Sequence, residues 1–205
     1  IIHFFVTGSI TEVALLAAAH AEGDREAGFW DEVMALRDLL KFEFFFPEKD
    51  EFRAEVEGEL SYRREDWEAA LAAGHDEVLD LVRSFHPYGA HWVLRPFLEA
   101  YRVVADALEA LDYRSDVEPK SFLSSCVAVG KQYRLQHRIR SSESVSTVLF
   151  DTAIKLADNR GLLDGGDESR LEERKAFAAT IDSVNRGIDG IEAMAAARRA
   201  GLEHR

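Results

Sequence analysis

The chain has 205 residues, 47% apolar and 31% charged, which describes a globular protein and excludes a disordered one. Its 25 Lys and Arg face 38 Asp and Glu; the net charge of −13 speaks against a nucleic-acid-binding domain, whose phosphate contacts need a basic surface. A single cysteine rules out an internal disulfide and fits a reducing compartment, and no uncharged apolar run reaches the ~18 residues of a membrane span. Only four prolines, many Ala, Leu, Glu and Arg, and few two-residue alternations predict an all-α protein. We expect a helical domain over 1–163 and a C-terminal coiled-coil-like helix over 164–205.

Residues 1–6, IIHFFV, are apolar from the first position and lack an initiator methionine, so the chain is expected to be part of a longer protein. Ser9-Ile10-Thr11-Glu12 reads as a capping box in front of a helix over 13–20. Gly23 and Asp24 break that helix. A second is expected from about Phe29, with Val33, Leu36, Leu39 and Leu40 on one side. It leads into KFEFFFP at 41–47, which Pro47 stops. Phe42, Phe44, Phe45 and Phe46 are too apolar for an ordinary surface; they read as core, or as a docking or membrane-interface patch.

Residues 48–61 form a charged surface helix with Phe52, Val56 and Leu60 at helical spacing. The rhythm continues through Trp67, Leu71, Val78, Leu81, Val82 and Phe85, interrupted at Gly74. An aromatic and histidine-rich turn follows at 85–92, then a long helix over 93–111 with Pro96 in its first turn. Residues 113–119 read as a linker. After the turn at 164–167, Phe177, Ile181, Val184, Ile188 and Ile191 recur in alternating steps of four and three. Gly187 and Gly190 weaken that seam, and 195–205 are expected to fray.

The stretch 119–163 is where the charge reverses. From 119 to 142 there is no Asp or Glu, while Lys120, Lys131, Arg134, Arg138 and Arg140 are cationic. At about 100° per residue, Phe122, Cys126, Val129 and Tyr133 fall on one narrow stripe, with Lys120, Lys131, Arg134 and Arg138 opposite. Ser141, Ser142 and Ser144 are candidate caps for a further helix with Val145, Leu149, Thr152 and Leu156 in line and Gly161 past its end. Lys131, Arg134, Arg138 and Arg140 are therefore candidate contacts for an anion: phosphate, lipid headgroup or an acidic carrier protein. The alternative is a solvated basic face that offsets the acidic remainder.

Catalytic patterns are sparse. His75 and Asp80 have the H-x4-D spacing of glycerolipid acyltransferases, but on a helix they point about 140° apart. His20 and Asp24 have the wrong spacing, and His86 with His91 lack further ligands, so no metal and no catalytic residue is assigned. Cys126 reads as a small core residue. No G-x-G-x-x-G, P-loop or G-x-S-x-G is present, and no cofactor is implied. LADNRGLL at 156–163 resembles the end of a winged-helix module, but acidic helix follows instead of a wing.

Five segments together resemble one family: HFFVTGSITEVALLAAA at 3–19, LRDLLKFEFFFPEKDEF at 36–52, LRPFLEAYRVVADAL at 94–108, VGKQYRLQHRIRSSESVS at 129–146 and LFDTAIKLADNRGLL at 149–163. They are similar to the C-terminal region of bacterial sn-glycerol-3-phosphate 1-acyltransferases. The resemblance implies a peripheral enzyme on the cytoplasmic face of the cell membrane, in phospholipid biosynthesis. Such an enzyme moves an acyl group from acyl-CoA or acyl carrier protein to glycerol 3-phosphate. It also implies that the catalytic H-x4-D belongs to an upstream acyltransferase domain, that no catalytic residue carries over, and that this chain alone is inactive. The expected partners are that domain, the acyl donor and an anionic membrane, with no nucleic acid. A rival reading is a free-standing helical interaction module that docks a partner through the phenylalanine patch.

Overall fold

The structure, a computed structural model, describes residues 3–202. Ile1 and Ile2, which head the apolar opening run, lie outside the described residues, as do positions 203–205 at the expected frayed end. The described residues form helices α1 (His3–His20), α2 (Arg25–Leu39), α3 (Lys49–Arg63), α4 (Trp67–Ala73), α5 (His75–Ser84), α6 (Ala90–Val93), α7 (Arg95–Glu109), α8 (Pro119–Leu135), α9 (Thr147–Asn159) and α10 (Glu168–Arg199). They contain no strand, so the fold is all-α, as composition and periodicity predict. Two compact units result: Ile1–Leu94 with Arg186–Arg205, and Arg95–Asn185.

In the first unit α1 is the central element. Val6, Ile10, Val13, Ala14, Leu15, Leu16, Ala18 and Ala19 are buried around most of its circumference, so it reads as a core helix rather than an amphipathic one. α2, α3, α5 and α6 pack against it. The capping-box reading of Ser9 to Glu12 is corrected, because α1 already runs from His3. Those polar residues therefore lie within the helix, where the Thr11 hydroxyl donates to the Thr7 carbonyl at 2.8 Å. α2 also begins earlier than expected: the Asp24 side chain accepts from the Ala27 amide at 3.1 Å and caps it. Phe52, Val56 and Leu60 are fully buried on α3, and Gly74 separates α4 from α5, both as expected.

The seam of α10 is buried at Phe177, Ile181, Val184, Ile188 and Ile191, and Ala195 continues it. Its glycines have the opposite effect to the one expected. A Cβ on Gly190 would stand 2.8 Å from Leu16 Cδ2, and one on Gly187 would stand 3.2 Å from Val13 Cγ1. Both glycines let α10 approach α1 closely, a packing gain that offsets their helix-propensity cost.

In the second unit α7, α8 and α9 pack on one another. α8 starts at Pro119 behind Glu118, whose carboxylate accepts from the Lys120 and Ser121 amides and is held below the usual range by them. Phe122, Cys126 and Tyr133 are buried as the stripe predicts, with Gly130 between them. The buried face of α9 differs from the expected line. Phe150, Ala153, Ile154 and Ala157 are buried with Leu156, whereas Val145, Leu149 and Thr152 are only partly covered. Gly161, in the left-handed region at φ 69°, ends α9 with the Leu162 amide bonded back to the Ala157 carbonyl at 2.9 Å.

Candidate functional site

The expected basic corner lies in the second unit, where α8 ends and a loop over 136–146 leads to α9. Its termination is unusual. The His137 amide bonds to the Arg134 carbonyl at 3.2 Å and the Arg138 amide to the Tyr133 carbonyl at 2.9 Å, the double closure normally reserved for a glycine. His137 occupies the glycine position with φ 57°, a left-handed backbone uncommon for a residue with a side chain.

What holds the loop is a buried carboxylate on α7. Glu99 accepts from the Arg140 amide at 2.8 Å, the Ser141 amide at 2.8 Å and the Ser144 hydroxyl at 2.9 Å, with Arg95 Nη1 at 3.6 Å. Ser144 therefore does not cap α9. Ser141 turns to Glu143, and the position before α9 is Ser146, which makes no side-chain capping bond. The serine-cap expectation is overturned because α9 begins only at Thr147, beyond Ser141, Ser142 and Ser144, and the Ser141 and Ser144 hydroxyls turn to Glu143 and Glu99.

The four candidate cations lie on this one corner. Lys131 is exposed on the last turns of α8 and makes no ion pair among the described residues. Arg134 donates to the Arg140 carbonyl at 2.6 Å. Arg138 stacks 3.6 Å from the Tyr133 ring centroid and reaches Asp106 at 3.1 Å, the same carboxylate that accepts the Tyr133 hydroxyl at 2.8 Å. Burial first, and then that bond to Asp106, push the Tyr133 hydroxyl above its ordinary value. Arg140 fixes the loop through its backbone, and its side chain is exposed. Arg134 and Arg138 thus build the corner with their side chains and Arg140 with its backbone, and Lys131 projects from it.

The phenylalanine patch divides. Phe44 is buried and lies 6.3 Å edge-on from Phe46, which in turn meets Phe52 at 5.1 Å. Phe45 is 88% exposed and Phe42 44%, so one half of the patch is core and the other half faces outward.

The remaining candidates are structural. His75 faces the Ala19 carbonyl at 2.7 Å and Asp80 pairs with Arg83, so the H-x4-D spacing assembles no dyad. Cys126 is buried, and burial pushes its thiol up to about 12, leaving no thiolate at neutral pH. Among the described residues no three His, Cys, Asp or Glu side chains could hold a metal ion together, and no helix is long and apolar enough to cross a membrane.

Besides Glu99, the buried ionisable groups Glu12 and Arg174 escaped the sequence reading of the core. Glu12 on α1 accepts from the Gly89 amide at 2.8 Å and the Ala90 amide at 2.9 Å, and so caps α6 from a distance in sequence. Burial raises its pKa from 4.5 to about 7, against the two amides and Arg63, which lower it. Arg174 on α10 is fully buried and donates to the Leu162 carbonyl at 2.9 Å and the Asp112 carbonyl at 3.5 Å. Burial, followed by the neighbouring Arg170, pulls its guanidinium below the usual value. Both had a signal. Glu12 is a lone acid in an apolar helix, and Arg174 falls on the seam one step before Phe177.

The architecture is thus that of an all-α region whose buried Glu12, Glu99 and Arg174 bond to backbone groups of turns and helix ends. The chain belongs to the family described as the glycerol-3-phosphate acyltransferase C-terminal region, which matches residues 1–166. It is similar to proteins named acyltransferase plsB1 from Mycobacterium bovis and from two strains of Mycobacterium tuberculosis. Each is 39% identical over 198 residues, covering 95% of this chain and 32% of the relative. The chain therefore spans about a third of the length of these relatives. No solved structure matches it.

Proposed function

We propose that this chain is the non-catalytic helical C-terminal part of a glycerol-3-phosphate acyltransferase. The whole protein transfers an acyl group from acyl-CoA or acyl carrier protein to glycerol 3-phosphate, giving 1-acylglycerol 3-phosphate for phospholipid synthesis at the cytoplasmic face of the membrane. This part braces the acyltransferase domain and offers Lys131, Arg134, Arg138 and Arg140 as a basic face to the donor's phosphates, to acidic carrier protein or to anionic lipid.

The observation that carries the reading is the family match over 166 of 205 residues in a chain about a third as long as its relatives. The commitment of Glu12, Glu99 and Arg174 to backbone groups supports the structural part of it. The test compares the intact gene product with this chain alone. Acyl transfer to glycerol 3-phosphate is expected from the first and not from the second; sustained turnover by the isolated chain overturns the reading.

The exposure of Phe45 favours a second reading, a free-standing module that docks a partner through this patch. An upstream H-x4-D domain in the same reading frame decides against it.

A further inference from the structure

The N-terminal half of α1, the turn after α2 and α3 leave a groove of ≈ 720 Å³ between them in the first unit. Its floor and wall are apolar: Val6, Phe44, Phe45, Phe46 and Pro47. The wall is fixed rather than fluid. Phe46 is held edge-on by Phe44 and Phe52, the Arg37 guanidinium lies 5.8 Å from its centroid, and Arg37 Nη2 donates to the Pro47 carbonyl at 2.6 Å. Phe45 alone in that wall is 88% exposed. The rim is acidic: Glu55 and Glu59 stand one turn apart on α3, with the Thr7 hydroxyl donating to Glu55 at 3.2 Å.

That combination narrows the occupant. A carboxylate rim repels the phosphates of a lipid headgroup or of CoA, and a second copy of a chain carrying −13 brings like charge. A peptide segment with an apolar face and a flanking Lys or Arg meets both features at once. We infer that the groove seats such a segment from the acyltransferase portion of the same polypeptide, with an apolar side chain on Phe45 and a cation against Glu55 and Glu59. This rests on the reading of the chain as one part of a longer acyltransferase, since the relatives are about three times its length.

The test uses the full-length protein with Phe45 replaced by the photoreactive p-benzoylphenylalanine, irradiated and digested for mass spectrometry. The expected adduct joins position 45 to a peptide of the same polypeptide outside residues 1–205, apolar and with Lys or Arg nearby. The pair Glu55→Gln and Glu59→Gln is expected to cut the adduct yield several-fold at low salt, with less effect at high salt. Helix content by circular dichroism shows that this conservative pair still folds. Adducts to lipid, to a second copy, to a separate protein or to residues 1–205, or no adduct at all, overturn the assignment, as does an unchanged yield in the Gln pair. Acyl transfer is measured in the same preparation. Transfer present with the adduct absent sinks the groove alone, whereas no transfer by the full-length protein sinks the family-based function.

Discussion

Glu12 and Glu99 show what a single buried carboxylate does when its neighbours are backbone amides. Each supplies the missing partners of backbone amides that have no partner in their own segment. Glu12 gives a pH signature. Its carboxyl binds a proton more tightly in the folded chain, at about 7, than at its ordinary 4.5, so the folded state is favoured by protonation. The contribution is complete below pH 4.5 and is lost as pH rises to about 7. The interval corresponds to about 3 kcal/mol of stability. Urea unfolding of wild type and Glu12→Gln across pH 4 to 8 should show the difference between them changing by about that amount in this window. A constant difference would mean that the carboxyl titrates normally. Glu99 offers a harsher test. Glu99→Ala removes the acceptor of two amides and a hydroxyl, and should cost about 3–5 kcal/mol in the same assay.

Helices were legible wherever bulky apolar residues carry the rhythm, as at Phe52, Val56 and Leu60 on α3 or Ile181, Val184 and Ile188 on α10. They were misread where small residues do the packing. On α9 the line through Leu149, Thr152 and Leu156 looks more hydrophobic than Phe150, Ala153 and Ala157. Yet the alanines permit close approach, and Phe150 closes on Gly130 of α8. A Cβ on Gly130 would stand 2.7 Å from Phe150 Cζ, and Phe150 is fully buried. Gly130→Ala is therefore expected to destabilise by about 1–3 kcal/mol despite alanine's better helix propensity. Gly28, inside α2, has no atom within 4 Å of such a Cβ, so Gly28→Ala should stabilise by about 0.5–1 kcal/mol. Opposite signs in thermal unfolding of the two variants would confirm that contact, not conformation, sets the cost at Gly130. The caps were misread for different reasons: Ser9 lies inside α1, which already runs from His3, whereas the Ser144 hydroxyl is taken by Glu99, distant in sequence.

At the scale of the whole chain, family and class were readable because long segments in order and helical periodicity are properties of sequence. The basic corner was readable only as charge. Its geometry depends on Glu99 and Asp106, which are distant in sequence from the cations they organise. That distinction decides how the proposed anion-facing role is probed. Reversing Arg138 also removes a cation from Asp106 and from the face of the Tyr133 ring, so lost activity there would mix folding with recognition. Lys131 is the cleaner probe, because it is exposed and holds nothing else in place. In a chain of net −13, a local positive corner matters most when screening is weak, with a Debye length of roughly 30 Å at 0.01 M salt and 10 Å at 0.1 M. In the full-length protein, Lys131→Glu should raise KM for acyl-CoA and for acyl carrier protein at low salt, with kcat little changed. Raising the salt to about 0.3 M should shrink the increase. A KM unmoved at low salt would reduce the corner to a solvated surface, held in place by Glu99 for the sake of the fold alone.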